Sequence, residues 1–259
     1  MIERLSDAAL VALPLLAGLL VLSSHVLLGA QVLRRGIVFI DLAIAQLAAL
    51  GAILFGLWFS DAASPAWGAV CAALAGAGLI ALLAKRWPAQ REALIGLVHV
   101  AAAALALIAI SFDPHGAQRL RALLAGDILW VSPAAMMPLA LATAAFLLLY
   151  QLRPRWIDRD PVFYSAFAVL ISLSLPIAGV YLVFASLIAP ALAGWAQPVP
   201  GGARSHRNAW AVGLAGYGGG LALSLYLDWP TGPSIVLALA LSALLALGLA
   251  STCARPRPD

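Results

Sequence analysis

VFYSAFAVLISLSLPIAGVYLVFASLIAPALAGW (162–195) carries no charged side chain anywhere along its length. One membrane crossing takes roughly 20 apolar residues, so this run of about thirty-four is too long for one crossing. No polar loop divides it into two. Near its middle stand Pro176 and Gly179; the first removes an N–H donor and the second loosens the backbone, so a helix is weakest there. Lipid does not tolerate exposed irregular backbone, so a segment broken at this depth is expected to be buried in protein or to line a cavity. Broken spans of this kind are a transporter feature.

The rest of the chain has the same character. Of its 259 residues, 64% are hydrophobic and only 10% charged, against about 25% charged in an ordinary soluble domain. The expected fold is all-α, a polytopic integral membrane protein with about eight spanning helices plus a broken or re-entrant segment, forming a single transmembrane domain over 1–259. The formal charge of +4 is no sign of nucleic-acid binding, because the basic residues sit scattered at the ends of apolar runs, as membrane topology requires. Cys71 and Cys253 are too far apart to suggest a disulfide framework. The first apolar run imitates a signal peptide, but Glu3, Arg4 and Asp7 before it are mixed in sign and no small-residue cleavage site stands out. It is read as a mature span.

Apolar runs cover about 8–32, 36–59, 66–84, 93–112, 133–152, 162–195, 208–227 and 233–252. The joint 115–133 is longer and partly amphipathic, and is expected to lie along a surface. Every tryptophan (Trp58, Trp67, Trp87, Trp130, Trp156, Trp195, Trp210 and Trp229) falls at or near a run end, where interfacial aromatic belts form. Orientation turns on the long run. If it crosses once, Lys and Arg divide almost evenly between the two sides. If it goes up, breaks near Pro176–Gly179 and returns, one side collects Arg34, Arg35, Lys85, Arg86, Arg91, Arg153, Arg155, Arg159, Arg204, Arg207, Arg255 and Arg257, leaving Arg4, Arg119 and Arg121 for the other. That bias places the first group in the cytoplasm, the N-terminus outside and the C-terminus inside. Two small-residue rows, Gly68–Ala72–Gly76 and Gly216–Gly220, are expected to let helices pack closely.

Absent motifs narrow the function. There is no G-x-x-x-x-G-K-[ST] loop, no H-E-x-x-H and no G-x-S-x-G elbow, so the chain has no P-loop of its own and little to recommend it as an intramembrane enzyme. Asp41, counted six residues past Arg35, lies roughly 9 Å into the second span at 1.5 Å per residue. A carboxylate there is costly and usually faces a partner, a cavity or a pathway; the plainer reading is an ion pair with Arg34 or Arg35. His25 and His99 sit within apolar runs, where a lone imidazole is more often a packing residue than a ligand. Glu92 reads as a solvated boundary residue.

Four stretches together resemble the bacterial metal-ion ABC permeases, the membrane subunits of zinc, manganese and iron importers. RRGIVFIDLAIAQLAALGAILFG (34–56) is similar to their second-span motif. LLAGDILWVSP (123–133) is similar to their outer Gly-Asp-Ile-Leu segment, with Gly126 and Asp127 in place. IAGVYLVFASLIAPALAG (177–194) carries Gly179, Val180, Leu182, Val183, Leu187, Pro190 and Ala191 of a third motif. LSLYLDWPTGPSIVL (223–237) resembles an outer loop, through Leu227, Asp228, Pro230, Thr231, Gly232 and Pro233.

The resemblance implies a permease subunit that is not itself an enzyme, homodimeric with a central pathway, in the bacterial cytoplasmic (inner) membrane. It implies a separate cytoplasmic ABC ATPase, an extracytoplasmic metal-binding protein, no cofactor bound by this chain, and a divalent transition metal, zinc or manganese, as cargo. About 190–204, with Pro190, Ala191 and Trp195, would couple to the ATPase. Asp127, Asp228, Pro230 and Thr231 would form the outer docking loops. One departure bears on the metal. The family commonly carries Asp-x-x-x-His in the second span; here Asp41 is followed by Ala45. Asp41 is the expected metal contact, with His25 or His99 as candidates for the missing imidazole. The alternatives are an importer of a metal chelate or vitamin, or a secondary transporter driven by protons or sodium.

Overall fold

The computed structural model describes residues 2–58, 65–111, 126, 128–197 and 202–253. Among these there is no strand. The helices are α1 (Ile2–Arg35), α2 (Ile40–Trp58), α3 (Pro65–Arg86), α4 (Arg91–Ile110), α5 (Pro133–Leu152), the short α6 (Pro154–Ile157), α7 (Asp160–Trp195), α8 (Ala203–Leu227) and α9 (Thr231–Cys253), with 3-10 turns at Pro88–Gln90 and Ile128–Trp130. Proline opens α3, α5 and α6, the position where its missing N–H costs nothing. Eight of the helices are long and apolar enough to cross a membrane, and the protein is an all-α polytopic membrane protein.

The long run is one helix interrupted at a single residue. Gly179 alone departs from helical geometry (φ 74°, ψ 164°). The break therefore falls at the buried glycine, while exposed Pro176 stays in the helix. From Asp160 to Ala178 the first part measures about 28 Å, close to a full crossing.

The chain forms two compact units, interleaved in sequence. The larger holds Arg35–Asp127 and Pro133–Val180. In it α2 is sandwiched by close contacts. Side chains at Gly51 and Gly68 would each strike the other's carbonyl oxygen, and one at Gly76 would strike Leu47. The row on α3 thus lets α2 and α3 touch backbone to backbone in antiparallel register. On the side toward α4, Leu50 and Ile53 pack on Ala106 and Ala109.

One end of this unit is basic, carrying Arg35, Lys85, Arg86, Arg91, Arg153, Arg155 and Arg159. There Gly36, at φ 60°, lets the chain leave α1, since a left-handed residue is the usual way to stop a helix. Arg35 pairs with Asp160 through its Nη1. Its Nη2 donates to the carbonyls of Ile157 (3.3 Å) and Asp158 (2.9 Å), and its guanidinium lies 4.3 Å from the centre of the Phe163 ring. At the other end of the first part of α7, Gly126 (φ 66°) sits so close to the backbone of Ala178 and Gly179 that no side chain fits there. The helix break is thereby covered by main chain, as a buried irregular segment requires.

The second unit holds Met1–Arg34, Ile128–Ser132 and Tyr181–Asp259. Here α1 packs on α8 through Gly18, which admits the Tyr217 ring, and through Leu22 against Gly213. It packs on the second part of α7 through Gly29, which rests on Leu187 and Ala191. The buried Tyr217 hydroxyl meets Ser186 Oγ at 2.8 Å. The expected row on α8 is used against α9, Gly216 on Leu239 and Gly220 on Ile235, whereas Gly218 faces open space.

Candidate functional site

The second-span acid is placed differently from its sequence reading. Residues 36–39 form a turn, so α2 begins only at Ile40 and Asp41 lies in its first turn, not six residues deep. An acid there complements the positive N-terminal end of the helix dipole. Asp41 is nevertheless 1% exposed, and its Oδ1 is buried without a hydrogen-bond partner. Within this unit the ion pair considered with Arg35 does not form. Arg35 is engaged by Asp160, and Arg34 donates to Gln31 Oε1 at 2.8 Å. A buried carboxylate oxygen left unused is costly to keep, which sets Asp41 apart from Asp160, a first-turn acid of the same unit that pairs with Arg35.

His99 is brought to the same part of α2. Its Nδ1 lies 3.1 Å from the carbonyl oxygen of Leu42, the residue after Asp41. A carbonyl only accepts, so Nδ1 is the donor, and in the neutral ring that leaves the lone pair on Nε2. This is the way a ligating imidazole is commonly oriented, by a backbone carbonyl on its other nitrogen. His25 belongs to the other unit. It is fully buried in α1 with Nδ1 3.2 Å from Ser24 Oγ. Among the described residues, no three His, Cys, Asp or Glu side chains come together in a group able to hold a metal ion.

Glu92 corrects its reading as a solvated boundary residue. Its Oε1 accepts the Val38 N–H at 2.6 Å, in the turn that leads into α2, and its Oε2 is buried with no partner. Glu92, Ile95 and His99 follow at i, i+3 and i+7 and share one face of α4. Their bonds to Val38 and Leu42 advance together along both helices, so α2 and α4 start at the same end. Asp41 lies between these two anchor points. The missed signal was the seven-residue spacing to His99.

The remaining expected residues separate by burial. Pro190 and Ala191 are inside the second unit, Ala191 against Gly29, while Trp195 at the end of α7 is 44% exposed. The end of α7 is tied to the start of α8, where Ser205 Oγ donates to the Gly194 carbonyl at 2.8 Å. Asp127 lies outside the described residues, as does most of 115–133. Asp228 is exposed and left-handed (φ 55°), and Pro230 is exposed. Thr231 is instead buried, its hydroxyl 2.9 Å from Ser224 Oγ. Ser224 also donates to the Trp229 carbonyl at 2.7 Å, so the turn between α8 and α9 is tied across its base.

The ABC 3 transport family matches residues 8–157 and 160–250, nearly the whole chain. The chain belongs to this family of metal-ion ABC permeases. Its fold is similar to that of a chain in the solved structure of PsaBC from Streptococcus pneumoniae in complex with Fab, with a TM-score of 0.72 over 95% of each chain at 21% identity. At that identity the likeness speaks for the fold. None of the curated proteins matches the chain in sequence. As an ABC 3 family member it is a transport subunit of a metal ABC importer and not itself an enzyme.

Proposed function

We propose that this chain forms, as a homodimer, the pathway of an importer for a divalent transition metal ion, zinc or manganese, in the bacterial cytoplasmic membrane. A separate cytoplasmic ABC ATPase drives it, and an extracytoplasmic binding protein delivers the ion. The basic end of α2 and α4 faces the cytoplasm, in line with the positive-inside bias. Trp195 and the neighbouring end of α7 receive the push of the ATPase. The buried Pro190 and Ala191, the latter packed on Gly29 of α1, pass it inward. Asp228 and Pro230 belong to the outer docking surface, on a turn whose base is held by Thr231.

The observation that carries this reading is the buried Asp41 carboxylate with an oxygen left unpartnered, one residue before the Leu42 carbonyl that orients the His99 ring. Carboxylate oxygen suits manganese and imidazole suits zinc. Two such groups hold an ion weakly, and weak holding suits conduction because a tight site would trap the ion. Asp41→Asn keeps the size of the side chain and removes its charge. In cells lacking their other metal importers, this variant is expected to lower uptake of radiolabelled manganese and zinc about tenfold or more at unchanged protein level. Uptake equal to wild type would remove Asp41 from the pathway.

A further inference from the structure

We propose that Glu92 is a second cation-handling carboxylate of the transport route, taking the divalent ion as it passes between Asp41 and the basic end of the protein. The inference rests on the reading of Asp41 given above. Its own ground is the disposition of the acids at that end. A divalent cation leaving there meets Arg35, Lys85, Arg86 and Arg91, and like charges in a low-dielectric setting raise its barrier. A carboxylate lowers that barrier only if it has an oxygen to spare. Asp160 is engaged by Arg35. Glu92 uses Oε1 on the Val38 N–H and keeps Oε2 buried and unpartnered. Asp41, three residues past Val38, keeps its Oδ1 in the same state and is almost wholly buried.

Two acids in the first turns of α2 and α4, each with an unused buried oxygen, are expensive if they only hold the fold. The bond to Val38 explains one oxygen of Glu92 and leaves the other without a structural task. Among the described residues no three such groups gather to hold an ion fast, so each carboxylate is a resting point that an ion can leave.

The two roles of Glu92 separate by substitution. Glu92→Gln keeps an Oε1 able to accept the Val38 N–H and abolishes the charge, whereas Glu92→Ala removes both. With the full transporter in cells, and uptake of radiolabelled manganese or zinc divided by the amount of permease in the membrane, Glu92→Gln is expected to lose about tenfold or more of wild-type uptake. The melting temperature of the purified Glu92→Gln protein should stay at the wild-type value, while that of Glu92→Ala should fall. Wild-type uptake by Glu92→Gln would overturn the proposal and leave Glu92 a helix cap. Asp41→Asn run in parallel keeps the two claims apart. Normal uptake by Asp41→Asn defeats the pathway reading itself, whereas loss in Asp41→Asn with normal uptake in Glu92→Gln defeats only the role of Glu92.

Discussion

Arg35 holds more of the basic end together than any other side chain described there. One guanidinium serves a carboxylate, two backbone carbonyls and an aromatic face at once, and the carbonyls it satisfies belong to the last residue of α6 and the one after it. A lysine keeps the charge but presents a single point with no planar fork. Arg35→Lys is therefore expected to destabilise the protein by about 1–3 kcal/mol, read as a lower unfolding temperature in detergent. An unchanged melting curve would show that the charge alone is enough. None of these partners is visible in sequence, since Arg35 and Asp160 lie 125 positions apart. The same holds for Glu92. Its type and spacing were on the page, but its partner Val38 is chosen by the packing of α4 on α2. The depth assigned to Asp41 failed for a local reason. Counting from Arg35 assumed an unbroken rise, and the left-handed Gly36 spends four residues on a turn before α2 begins.

Helix contacts were far more legible. Long charge-free runs define the spans because lipid demands them, and the small-residue rows mark where backbones meet because nothing larger fits. Both rows find neighbours at contact distance, and both do so at the glycines named from sequence. The two glycines of α3 that differ in surroundings offer a paired test. Gly68 faces the backbone of Gly51 and the Phe55 side chain, whereas Gly78 has open space around it. Gly68→Val should cost about 1–3 kcal/mol or more through overpacking, measured as a lower denaturation midpoint of the purified protein. Gly78→Ala should leave the midpoint in place or raise it, alanine being the better helix former by roughly 1 kcal/mol. Equal effects at the two positions would mean that α2 and α3 do not touch as described. The break in α7 was legible to within a few residues. Sequence offered two candidates, and burial chose between them, because only Gly179 is covered by the backbone around Gly126.

The distribution of charge over the full chain makes a prediction about orientation. Reporters fused at Arg155 and after Trp195 should both read cytoplasmic, since only an up-and-back α7 gives the biased twelve-to-three division of Lys and Arg that orientation rules favour. Opposite readings at these sites would refute the up-and-back path. The partition into two interleaved units was not legible, because hydropathy marks where a span lies and says nothing about which span it will join. That interleaving bears on how the protein is made. Within its unit, α1 rests through Gly18, Leu22 and Gly29 on Tyr217, Gly213, Leu187 and Ala191, all of them far later in the chain. At synthesis rates of about 5–20 residues per second, the first helix waits on the order of ten seconds for these neighbours to be translated. During that interval Ser24 and His25, fully enclosed in the finished protein, must be sheltered by lipid headgroups, by the insertion machinery, or by each other.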